Sequence, residues 1–109
     1  MKIPKKIKIG AHDVTIKFPH KFQERQDAFG FFNIGTNEIF ITDVDSSGNP
    51  CSDTHIASTF LHEVLHVINR VYCCSRLGDN TSEEDMVEGL AQGLLQVIRD
   101  NNLDFLNTD

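Results

Sequence analysis

The sequence has no tryptophan, one tyrosine, three prolines and three cysteines in 109 residues. Cys51, Cys73 and Cys74 cannot form a disulfide framework or a Cys-x-x-Cys metal knuckle, and they read as small, semi-buried residues of a reducing compartment. No apolar run approaches the roughly 20 residues of a membrane span, and the basic N-terminus lacks the apolar core of a signal peptide. The expectation is a cytoplasmic protein with no membrane partner. The net charge is −6, distributed unevenly: residues 1–25 carry seven of the ten basic residues, and the rest is strongly acidic. This balance argues against a nucleic-acid partner, and the basic stretch reads as a solvated strand face. Histidine is absent after His66.

What is present suffices for one modest core. Hydrophobic residues make up 39% of the chain and include eight phenylalanines, so one domain spanning 1–109 is expected. Residues 5–18 alternate, with Ile7, Ile9, Val14, Ile16 and Phe18 on one face and a turn at Gly10–Asp13. They read as a hairpin ended by Pro19. His20 to Ala28 fits a loop or short helix. Phe29–Ile34 and Glu38–Thr42 form a second strand pair around Gly35-Thr36-Asn37. Asp43–Asp53 is a polar loop; Asp43, Asp45 and Asn49 lack the spacing and closing Glu of a calcium loop.

Thr54–Tyr72 contains neither Gly nor Pro and reads as a helix, with Asp53 expected as its N-cap. Ala57, Phe60, Leu61, Val64, Ile68 and Val71 project as one apolar face. His55, Thr59, His62, His66, Asn69 and Cys73 form a polar stripe opposite. Ser75–Asn80 is a break. A second amphipathic helix follows, capped by Thr81 or Ser82 and running to about Arg99 or Asn101, with Val87, Leu90, Ala91, Leu94, Leu95 and Ile98 inward. The acidic tail 104–109 is expected to fray. The fold class is therefore α+β: a small twisted antiparallel sheet packed on two helices.

The chemistry lies in His62-Glu63-Val64-Leu65-His66. Histidines four apart on a helix share a face, so both imidazoles can reach one ion at roughly 2.0–2.1 Å. Glu63 projects about 100° away from His62, near such an ion without being forced to ligate it. A carboxylate there can take a proton from water whose pKa zinc has lowered to about 7. This pattern points to a zinc hydrolase, most often a metallopeptidase, with one Zn2+ per chain. A catalytic zinc takes three protein ligands and leaves one position open. No histidine is left to be the third, and Cys73 lies about 10 Å along the axis from His66. The remaining choices are Glu83, Glu84 and Glu88 of the second helix. With Val87 at zero they project at about −40°, 60° and 100°, against an apolar face centred near 10°.

His62-Glu63-Val64-Leu65-His66, followed by Glu84, Val87, Ala91 and Leu94-Leu95, resembles the gluzincin type of zinc peptidase, whose third ligand is a Glu on a later helix. More closely, it resembles the small phage and bacterial metallopeptidases of the ImmA/IrrE-like group, over about residues 29–101. The resemblance implies Glu84 as third ligand and Glu63 as general base. It also implies Glu88 as an acid that orients a ligand histidine, and an edge strand, for which Glu38–Thr42 is the candidate, that holds an extended peptide or protein substrate. The DNA-binding or repressor-linked domains of some relatives are missing here, which argues against a repressor-cleaving role. His55 and Tyr72 are the candidates for an oxyanion donor. The alternative from another class is a zinc-stabilised phage regulatory or binding protein with little or no turnover. Retention of Glu63 favours the enzyme.

Overall fold

The structure, a computed structural model, describes residues 3–21, 29–78 and 82–101. The expectations for 22–28, for Thr81 as a cap and for the acidic tail fall on residues outside these. Four strands precede two helices: β1 (Lys6–Ile9), β2 (His12–Lys17), β3 (Gly30–Asn33), β4 (Glu38–Ile41), α1 (Asp53–Tyr72) and α2 (Glu83–Asp100). The sheet order is β1-β2-β4-β3.

Both hairpins form where the alternation places them. Ile7 pairs with Val14 and Ile9 with His12 around Gly10, whose φ of 60° suits the tight turn. The second hairpin turns through Asn37 at φ 54°, while Asn33 Oδ1 accepts the Gly35 N–H. The sheet is mostly but not wholly antiparallel, because β2 and β4 run parallel, with Ile16 opposite Ile39. That pairing also corrects the edge assignment. Both flanks of β4 are occupied, and Ile39 and Ile41 are fully buried, so among the described residues β3 is the edge strand beside α1. Strand partners are set by non-local packing, which alternation within one segment does not encode.

The loop before α1 is clamped by Asp45, whose Oδ1 accepts the N–H groups of Ser47 and Asn49. These bonds, that to Asn49 foremost, hold the Asp45 carboxyl below its usual range. Ser52, rather than Asp53, caps α1 by accepting the His55 N–H; Asp53 instead places its charge in the first turn. The helix ends with Cys73 and Ser75 donating to the Asn69 carbonyl, and with Cys74 and Ser75 at positive φ. Cys51 and Cys73 are half-buried as expected, but Cys74 is exposed.

Two cores meet on α1. Ile56, Val67 and the half-buried Phe60, Val64 and Val71 pack on Ile9, Val14, Ile16, Ile39 and Ile41 of the sheet. Leu65, with Leu61 and Ile68 beside it, packs on Val87 and Ala91 of α2. The apolar face is thus wider than the one projected, since Ile56, Leu65 and Val67 are buried too. On α2 the reverse holds. Only Val87 and Ala91 are buried, and Leu90, Leu94 and Ile98 stay 41–43% exposed, because α1 is the one element that α2 packs against among the described residues. No helix of the described residues is long and apolar enough to cross a membrane.

Candidate metal centre

A cleft of about 600 Å³ has α1 as its floor, β3 as one wall and the N-terminal half of α2 as the other. Gly30 lets β3 approach: a Cβ there would lie 2.8 Å from Thr59 Cγ2 and 3.0 Å from Glu63 Oε2. The two helices run antiparallel, so Glu83 comes opposite His66 and Glu88 opposite His62.

Three donor groups converge. His62 Nε2 and His66 Nε2 are 3.2 Å apart. Glu84 straddles them, with Oε2 3.1 Å from His62 Nε2 and Oε1 2.8 Å from His66 Nε2. Four ligands held tetrahedrally at about 2.0–2.1 Å are separated by roughly 3.3 Å, so these spacings suit a small tetrahedral ion. The donor set, two neutral imidazoles and one carboxylate, suits zinc. Both imidazoles are largely buried, whereas Glu84 is exposed. His62, His66 and Glu84 therefore form a candidate metal-binding cluster on a small α+β, zincin-like frame.

The other ring nitrogens are also occupied. Glu88 Oε2 is 2.9 Å from His62 Nδ1, and Glu83 Oε2 makes a short contact with His66 Nδ1. Gln92 donates to Glu88 Oε1 at 2.8 Å. That bond is the main reason the Glu88 carboxyl lies below its usual range, with the hydrogen bond and charge of His62 adding to it and burial opposing. With Nδ1–H given to a carboxylate, each Nε2 is left with a free lone pair directed at the shared point. Helix angles alone do not reveal Glu83 in this place. The signal is the combination of antiparallel helices with acids one residue before and four after Glu84.

Glu63 is 7% exposed and lines the same cleft beside Gly30, outside the cluster. Burial raises its pKa, opposed by the charges of His66 and His62 and reinforced by Glu84. Among the described residues no hydrogen bond is recorded to its carboxyl group, so the surroundings favour the neutral form.

His55 lines the cleft two stripe positions above His62, its ring edge-to-face with Phe29 at 4.4 Å and its Nε2 buried without a partner among the described residues. It stands about 10 Å along the axis from His62. Tyr72 is excluded from the cleft. It is 66% exposed, and its hydroxyl lies against the Gly10 turn on the sheet side. Asn69 also leaves the stripe: it is buried, and its Oδ1 accepts the Leu77 N–H beyond the helix end. Arg70, which the stripe did not include, lies in the cleft wall. No protein-family model matches the chain, and no curated protein or solved structure shows significant similarity to it.

Proposed function

We propose that this chain is a zinc-dependent peptidase in which His62, His66 and Glu84 hold the ion and Glu63 is the general base. The observation that carries the reading is Glu63 itself, a buried carboxylate with no hydrogen bond recorded among the described residues, beside a convergent His-His-Glu cluster. A site that only stapled the fold would gain nothing from a carboxylate kept there at a desolvation cost. Bound zinc supplies Lewis acidity, which acidifies water and polarises a carbonyl. Glu63 takes the proton from the attacking water and returns it to the leaving amine. Its raised pKa suits both halves of that transfer. Glu88 and Glu83 hold the two imidazoles in the tautomer and orientation that ligation needs.

The shape of the cleft supports a peptide as the substrate. Among the described residues β3 is an edge strand of the sheet, and it runs beside the cluster. An extended peptide can add to that edge through main-chain hydrogen bonds. The likeness of the two helical motifs to the gluzincin type, and to the ImmA/IrrE-like group within it, supports the same reading.

The test is a comparison of zinc-loaded wild type with Glu63→Gln on a peptide library. The variant should keep its metal and fold and lose hydrolysis by about two to four orders of magnitude, the usual worth of a positioned base. Equal activity in both proteins, or none in the wild type, would replace the peptidase with a zinc-stabilised binding protein.

A further inference from the structure

The peptidase reading leaves one charged side chain of the cleft without a task. Four glutamates line this cleft, and among the described residues its only guanidinium is that of Arg70. Arg70 follows His66 by one helical turn on the same face, is exposed, and makes no hydrogen bond or ion pair among the described residues despite its acidic surroundings. Attraction to the C-terminal end of α1 explains a cation in the last turn. It leaves the planar fork of N–H donors free, and that fork matches a carboxylate bidentately.

The strand beside it gives the cleft a direction. Phe29 meets His55 edge-to-face at the start of α1, and Gly30 faces Thr59 and Glu63. β3 therefore runs alongside α1 in the same sense, with Ile34 towards the Arg70 end. The opposite end of the sheet agrees, because the β1–β2 turn at Gly10 rests on Val71 and Tyr72, and β3 is antiparallel to β4 and hence to β2. A peptide pairing antiparallel with β3 then places its N-terminal residues at Arg70 and its C-terminal residues at His55. From the middle of the His62–His66 pair to Arg70 is about 9 Å along the helix, and an extended chain advances about 3.3 Å per residue. The Arg side chain leans back towards the N-terminus, which shortens that span.

We infer that Arg70 is a specificity residue that binds an acidic side chain two or three positions before the scissile bond. The inference rests on the peptidase reading. The test uses the full chain loaded with zinc and internally quenched peptides whose cleaved bond is located by mass spectrometry. Matched sets carry Glu, Gln or Lys at each of the three positions before that bond, with the C-terminus free or amidated. Wild type should favour Glu over Gln at the second or third position by about 10-fold in kcat/KM, within the range for a hydrogen bond to a charged group. Arg70→Gln should bring that ratio near one, and Arg70→Glu should turn the preference towards Lys. A Glu preference that persists in Arg70→Gln, no preference in the wild type, or a preference that follows the free C-terminal carboxylate would each overturn the inference and leave the peptidase standing. A wild type that cleaves no member would remove the peptidase reading, and this inference with it.

Discussion

Glu88 Oε2 lies 2.9 Å from His62 Nδ1, across the imidazole from the Nε2 that Glu84 meets at 3.1 Å. His66 repeats the pattern with Glu83 at Nδ1 and Glu84 at Nε2. One helix terminus thus supplies a shared carboxylate between the two rings and a separate one behind each. All three acids belong to the first two turns of α2, where the helix dipole favours negative charge. The dipole therefore lowers the cost of collecting carboxylates where the imidazoles need them.

The three acids should differ in what their removal does to zinc. Purified wild type should carry about one zinc per chain, and His62→Ala or His66→Ala should lose it and melt earlier. Among the glutamates, Glu84→Ala should weaken zinc most. Glu88→Ala and Glu83→Ala should each cost about 10–100-fold, the usual effect of losing a carboxylate behind a ligand histidine. Chelator competition on the three single variants reads this directly. A larger loss in Glu83→Ala or Glu88→Ala than in Glu84→Ala would move the third ligand to that residue.

Gly30 makes the second expectation. Its missing side chain leaves the space in which Thr59 Cγ2 and Glu63 Oε2 sit. An added methyl would meet Thr59 Cγ2 at 2.8 Å and Glu63 Cγ at 3.1 Å, so β3 or the Glu63 side chain must move. Gly30→Ala should therefore destabilise the protein by about 1–3 kcal/mol, the typical cost of overpacking. It should also lower kcat more than it changes zinc content, because it displaces Glu63 and leaves His62, His66 and Glu84 in place. Urea unfolding together with metal analysis checks both parts. Unchanged stability with full activity would show that the approach of β3 to α1 is looser than these distances imply.

The sequence declares its helices more clearly than its sheet. α1 is bounded by a Gly- and Pro-free run and α2 by Ser82 and three acids, all local signals that need no tertiary partner. The position of His62 and His66 on one face follows from the 3.6-residue period alone. The alternation of Glu38–Thr42 suits an edge strand, and only the pairing of β4 on both sides with β2 and β3 shows that it is internal. Likewise α2 carries a full apolar stripe, but where α1 stops covering it Leu90, Leu94 and Ile98 face outward, which periodicity cannot foresee. Glu63 illustrates the same limit at the site. Its motif suggests a base, while its burial depends on how closely Gly30 lets β3 approach.

That burial makes the last prediction, on the metal-free protein. Folding raises the Glu63 pKa above its ordinary value of 4.5, chiefly by desolvation. A carboxyl with a raised folded pKa holds its proton more tightly in the native state, so stability falls as pH rises from about the unfolded value through the folded one. The neutral isostere Gln at this position has no such loss. Metal-free Glu63→Gln should therefore melt above metal-free wild type at pH 8. The gap should narrow as the pH falls and Glu63 takes up its proton, and it should close near pH 4, below the ordinary value. Calorimetry of the two chelator-treated proteins between pH 4 and 8 measures it. A wild type as stable as the variant at pH 8 would mean that folding does not penalise the Glu63 carboxylate. Glu63 would then carry no stability cost that chemistry must justify.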